Sequence, residues 1–160
     1  MTAADEIEVV VRPATEVDRP VLWRLLQLYL HDFSELEGND LQPDGEFAYP
    51  HFDVYWTDAD RHPFLFEVDG APAGFALVRS GPTHDLAEFF VVRKHRRHAV
   101  GRRAAVDVFA RFPGEWQVRQ LDSNPGATRF WRAAIPYPFA DDRNERGPVQ
   151  RFTVSANMTS

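Results

Sequence analysis

A chain of 160 residues with a formal net charge of −6 has the size of one domain, 1–160, and enough apolar material for a substantial core. The absence of cysteine excludes disulfides, thiolate metal sites and a cysteine nucleophile. The acidic balance weighs against a nucleic-acid partner, whose phosphates would meet a repulsive body.

Met1 to Glu6 is acidic and unlike a signal segment, and no apolar run approaches membrane-spanning length, so the expectation is a cytoplasmic protein with no membrane partner. Ile7 to Val11 reads as a first strand. A helix then starts at Thr15 or Asp18, with Pro20 in its first turn and Val21, Leu22, Leu25, Leu26, Tyr29 and Phe33 as its buried stripe. From Asp32 to Asp60 nine acids occur with no Lys or Arg among them, interleaved with aromatic residues; Tyr49 to Thr57 has the makings of a short helix.

Pro63 to Val68 and Gly74 to Arg79 read as a hairpin joined at Asp69-Gly70. A third run, Leu86 to Val92, is apolar, aromatic and β-branched, with one carboxylate, Glu88, inside it. Six basic residues follow, Arg93, Lys94, Arg96, Arg97, Arg102 and Arg103, and a helix begins near Val100 with Gly101, Ala104, Ala105, Val108, Phe109 and Phe112 on one side. Pro113-Gly114 ends it, and Trp116 to Leu121 is a fifth strand. Asn124-Pro125 opens another helix, with Asn as its cap, and Pro138 to Val154 reads as two antiparallel strands around Asp141 to Asn144.

A buried strand, a basic turn and a helix start in succession aim free N–H groups, a helix dipole and guanidinium groups at one point, which suits a diphosphate. The dipole alone contributes only ~0.3–1 kcal/mol at an exposed terminus, so backbone donors and Arg must do most of the binding. A P-loop is excluded because the chain lacks G-x-x-x-x-G-K-[ST], and its single Lys is Lys94; the dinucleotide pattern G-x-G-x-x-G is also missing from this stretch.

Arg96-Arg97-His98-Ala99-Val100-Gly101, an R-x-x-[G/A]-x-G run, resembles the acetyl-CoA loop of the GNAT N-acetyltransferase superfamily. Asn124 to Trp131 resembles that family's N-x-x-A-x-x-[FL]-Y segment, and the order of elements is similar from about Ile7 to Val154. The resemblance implies an α/β fold: a mixed, mostly antiparallel sheet flanked by helices, with a splayed central strand pair. It implies acetyl-CoA as co-substrate, held by backbone groups of Phe90, Val91 and Val92, by the loop from Arg96 and Arg97 through His98, Ala99, Val100 and Gly101 to Arg102, and by Asn124. Ala99 stands where the family usually has glycine, which leads us to expect φ below zero there. Trp131 stands where many relatives carry a tyrosine that protonates the departing thiolate. An indole N–H is not a usable acid, so that role does not transfer.

Glu88, eight residues before the motif Arg, is similar to the strand carboxylate that several relatives use as a base. Apolar neighbours would raise its pKa and improve it for that role. A strand Glu paired with an Arg or facing water is an equal reading, and Asn124 as cap alone equals Asn124 as cofactor contact. No metal is expected; His95 and His98 lie among cations. The expected activity is direct acetyl transfer from acetyl-CoA to a primary amine of a small, cationic molecule or peptide, the cationic preference coming from the acidic run. A catalytically weak acyl-CoA sensor and a nucleic-acid module using the basic loop are the alternatives, and a homodimer is compatible with all of these.

Overall fold

The computed structural model describes residues 7–156, without the side chain of Arg97. A seven-stranded sheet runs in the order β1-β2-β3-β4-β5-β7-β6, from β1 (Val9–Pro13), β2 (Arg61–Val68), β3 (Ala71–Arg79), β4 (Thr83–Val91), β5 (Gly114–Arg119), β6 (Phe139–Arg143) and β7 (Pro148–Val154). Every neighbouring pair is antiparallel except β4 with β5. Helices α1 (Arg19–Glu37) and the short α2 (Val54–Thr57) cover one face, and α3 (Val100–Ala110) and α4 (Pro125–Ala134) the other.

The faces follow from strand alternation. Leu65, Phe75, Leu77 and Phe90 point to α1 and meet Leu22, Leu25 and Leu26 of its stripe. Phe66, Ala76, Val78 and Val91 point the other way, against Val108 and Phe109 of α3 and Trp131 of α4. Each such buried side chain contributes roughly 1.5–3 kcal/mol, so the two layers together hold the sheet. The β2–β3 hairpin turns at Asp69-Gly70, both with positive φ, as a two-residue hairpin requires.

Three expectations shift. The first strand is Val9–Pro13, two residues late, because its register is set by pairing with Phe64–Val68. Asp18 precedes α1, but its carboxylate turns back to Arg12 and the Thr15 N–H, completing a 3₁₀ turn over Glu16–Asp18. The last hairpin turns at Asn144 to Gly147, with Asp141 to Arg143 inside β6. Asn144 Oδ1 accepts from the N–H groups of Arg146 (2.8 Å) and Gly147 (3.1 Å). A Cβ on Gly147 would stand 2.3 Å from the Gln120 carbonyl, so only glycine lets this turn lie against the end of β5.

One irregularity decides the position of the site. Leu77 of β3 faces Glu88, while the next residue, Val78, faces Leu86, so Ala87 is an extra residue in β4. In a regular strand Asp85 and Glu88, three apart, would lie on opposite faces. The bulge brings both to the α1 face.

Candidate active site

β4 pairs with β3 along its length but with β5 only at Thr83, His84 and Asp85. Beyond Asp85 the two parallel strands part. The gap opens into an inner lobe of about 330 Å³, bordered by Glu88, Arg119, Gln120, Asn144 and Arg146, and an outer lobe of about 530 Å³, bordered by Val91, Arg96, Ala99, Gly101 and Arg102. Tyr29, Phe33, Phe89, Asn124, Ala127 and Trp131 border both, so the lobes form one cleft.

The ladder determines which backbone groups face this cleft. The Val92 N–H donates to the Ala73 carbonyl (2.8 Å), and the Phe90 carbonyl lies against Gly74 on the β3 side. Alternation then turns Phe89 and Val91 toward the gap. This corrects the expected set: the open edge consists of Phe89 and Val91, and neither Phe90 nor the Val92 N–H belongs to it. The Val91 carbonyl already accepts from Arg96 Nε at 2.7 Å.

Arg93 and Arg96 pair with Asp32 near the end of α1, at 2.9 and 3.2 Å, and Arg96 also lies over the Phe90 ring. The loop is therefore latched to α1, and Arg96 acts as a tether. Ala99 adopts φ +55°, not the expected negative value. The chain must reverse between the 3₁₀ turn of Arg93–His98 and α3, and a left-handed residue is what joins them. The first helical bond there runs from the Arg103 N–H to the Ala99 carbonyl, so Val100, Gly101 and Arg102 present the N–H groups of a helix start, with no partner among the described residues.

The Val100 side chain is buried in the core, leaving its backbone for any ligand. A Cβ on Gly101 would meet Phe130 at 3.2 Å and Val91 at 3.6 Å, so this glycine serves α3–α4 packing as well as the lobe. Arg102 is exposed at the lobe and has no ion-pair partner among the described residues. His98 is exposed and borders neither lobe, and the Arg97 side chain lies outside the described residues. Asn124 Oδ1 accepts from the Ala127 N–H (3.2 Å) while the residue borders both lobes, so capping and ligand contact are compatible.

Glu88 projects into the inner lobe between two phenols. Tyr29 Oη donates to Oε1 (2.8 Å) and Tyr49 Oη to Oε2 (2.7 Å). Burial pushes the Glu88 carboxyl above the usual range, and the two hydrogen bonds oppose that without cancelling it. Among the described residues no Arg pairs with Glu88, because Arg79 and Arg119 both go to Asp85. Sequence reasoning missed the phenols: Tyr29 falls on the apolar stripe of α1 and Tyr49 in an irregular segment, 59 and 39 residues from Glu88.

Most of the acidic run lands away from the cleft, with only Asp32 and Glu35 bordering the outer lobe. Asp32 holds the basic loop, Asp53 pairs with Arg19, Asp60 with Arg61, and Glu46 accepts from Trp23 Nε1. None of the nine acids borders the inner lobe, where Glu88 is the sole carboxylate. Among the described residues no cluster of His, Asp and Glu is arranged to hold a metal, and no helix is long and apolar enough to cross a membrane.

The profile of the acetyltransferase (GNAT) family matches residues 22–134, and the chain belongs to that family. No curated protein matches it in sequence. Among solved structures it is similar to a GNAT-family acetyltransferase from Staphylococcus aureus, with TM-score 0.68 and 10% identity over 92% of this chain and 100% of that one. It is also similar to the ribosomal-protein-S18-alanine N-acetyltransferase of Escherichia coli (TM-score 0.62, 13% identity, 96% and 97% covered) and to the aminoglycoside acetyltransferase AAC(6')-Ib in complex with coenzyme A (TM-score 0.62, 17% identity, 91% and 95% covered).

Proposed function

We propose that this acetyltransferase moves an acetyl group from acetyl-CoA directly to a primary amine of a small molecule or peptide, with Glu88 as the base. The observation that carries this reading is the open β4 edge at Phe89 and Val91, running from Glu88 to the helix-start N–H groups of Val100, Gly101 and Arg102. An extended amide arm suits the edge, and a diphosphate suits the start of α3 beside the free Arg102 guanidinium. The AAC(6')-Ib neighbour holds coenzyme A on the same fold, and the S18-alanine enzyme acetylates an amine, both consistent with the proposal.

When bound, the thioester supplies an activated acyl group. The chain's own part is to hold the amine beside Glu88, whose raised pKa makes it a better acceptor of the amine's proton near neutrality. Arg93 and Arg96, neutralised by Asp32, argue against the nucleic-acid alternative. Glu88 borders the inner lobe, and Asp32 and Glu35 border the outer, so a panel of polyamines, aminoglycosides, amino acids and peptides tests the expected preference for a cationic acceptor. A non-catalytic acyl-CoA sensor remains a second reading because of Trp131, 6% exposed and without an acidic proton.

Calorimetric titration with acetyl-CoA tests the first half. One site is expected, weakened roughly 10–100-fold by Arg102→Glu, the scale of a lost hydrogen bond to a charged group. Gly101 is a poorer target, since a side chain there would disturb Phe130. Absence of binding heat would remove the proposal. With no cysteine to carry an acetyl group, amine kinetics are expected to be sequential, and a ping-pong pattern would contradict direct transfer.

A further inference from the structure

The position that a phenolic acid occupies in many relatives is filled here by Trp131, packed edge-on against Phe89 at 4.9 Å. Its indole cannot give up a proton to a thiolate. The proton therefore comes from another side chain or from solvent. The chain has four tyrosines, and their places discriminate among them. Tyr137 packs on Phe109 and Phe152 and borders neither lobe. Tyr55 is buried in α2, also off the cleft. Tyr49 reaches Glu88 but borders neither lobe. Tyr29 alone both donates to Glu88 and borders both lobes.

Resting on the acetyl-transfer reading above, we propose that Tyr29 is the proton donor to the departing thiolate, recharged by Glu88 through the hydrogen bond that joins them. Base and acid of the reaction then form one relay on the α1 face of the cleft. Aromatic packing holds the Tyr29 ring in place. Phe33, Phe75 and Phe90 surround it with centroids at 5.1, 5.8 and 5.9 Å, leaving the hydroxyl torsion as its main freedom.

Atoms and electrons balance in this step. A neutral amine attacks the acyl carbon; a C–N bond forms, the C–S bond breaks, and its electron pair stays on sulfur. The proton lost by nitrogen goes to Glu88. Tyr29 turns its hydroxyl to sulfur and gives it the phenolic proton, while the Glu88 carboxyl proton passes to the Tyr29 oxygen. Amine and thioester become amide and thiol, and both side chains end as they began. Burial and then the Glu88 charge push the Tyr29 phenol well above its usual value, so it releases its proton only when Glu88 replaces it at once.

Two readouts test this, each with Tyr49→Phe as the control that loses a Glu88 hydrogen bond but lies off the cleft. The first needs no turnover. Affinities of coenzyme A and of its analogue with hydrogen in place of the thiol are compared by calorimetry. The wild type and Tyr49→Phe should prefer the thiol by about threefold, the scale of a weak hydrogen bond, and Tyr29→Phe should lose that preference. The second compares kcat/KM for acetyl-CoA and for the acetyl thioester of 4-nitrothiophenol, whose thiolate leaves without a proton. The fastest panel amine is used, and also water, so that the test stands whichever amine is preferred.

Tyr29→Phe should lose about 100-fold with acetyl-CoA and little with the aryl thioester, whereas Tyr49→Phe should affect both donors equally. An intact thiol preference in Tyr29→Phe, or equal losses with both donors, would overturn the relay. A wild type that neither binds acetyl-CoA nor acetylates takes down the acetyl-transfer reading itself, a failure visible before any variant is made.

Discussion

Two carboxylates on one strand, three residues apart, have opposite surroundings. Asp85, 3% exposed, is held by Arg119 at 2.6 and 2.9 Å and by Arg79 at 2.5 Å. Burial pushes its pKa up, but the hydrogen bonds from Arg119 and Arg79 outweigh this and hold it below the usual value. Among the described residues Glu88 has hydrogen bonds only from the phenols of Tyr49 and Tyr29; burial outweighs these and the more distant charge of Arg119, and its pKa rises. Neutral donors satisfy an oxygen without stabilising its charge as a guanidinium does. Asp85 closes the paired part of β4 with a fixed charge; Glu88, where β5 has departed, is left able to change its charge.

The two therefore affect stability in opposite directions with pH. The contribution of Asp85 is present above its unfolded value near 3.8 and is lost as pH falls through its depressed folded value. Glu88 does the reverse. Between its ordinary value and its raised folded value the native state keeps a proton that the unfolded chain has lost, so stability declines as pH rises through that window.

The largest expected effect separates catalysis from stability. Glu88→Gln should lower kcat by about 10²–10⁴-fold, the span of general-base contributions, with an unchanged or raised Tm at neutral pH. A normal kcat in that variant would reduce Glu88 to a buried strand residue. Asp85→Asn should do the opposite and destabilise the fold by ~3–5 kcal/mol in urea titration, because Arg79 and Arg119 lose their shared counter-charge. A loss well under that would mean the pair contributes little to holding β4 against β5.

Tyr49→Phe sharpens the comparison from the other side. Its hydrogen bond pulls the Glu88 pKa down, so removing it should move the acid limb of kcat/KM to higher pH. A limb that stays put would mean the profile reports another group.

Much of the fold was legible because periodicity and turn chemistry are local. Leu22, Leu25 and Leu26 are one helix face, and Asp69-Gly70 supplies the positive φ of the hairpin. The basic turn and the start of α3 were legible for the same reason. The bulge at Ala87 was not, since alanine carries no signal for an extra residue, and so the shared face of Asp85 and Glu88 was hidden. Asp32 read as part of an acidic run, and only the packing of α1 beside the loop shows that it holds Arg93 and Arg96.

Ala99 is the smallest case. A non-glycine residue at φ +55° costs ~1–2 kcal/mol, partly offset by the greater entropy that glycine loses on folding. Ala99→Gly should therefore raise stability by about 1 kcal/mol or less, read from the urea midpoint, without changing the behaviour of Asp85 or Glu88. A destabilised variant would show that the loop has no strain to relieve.

The most direct measurement is a carbon-13 NMR titration of the side-chain carboxyls in the protein without substrates. The account predicts that Glu88 titrates above its ordinary value of 4.5 and Asp85 below its ordinary 3.8. Glu88 titrating at or below 4.5 would contradict it, because the hydrogen bonds from the two phenols would then have offset the whole effect of burial.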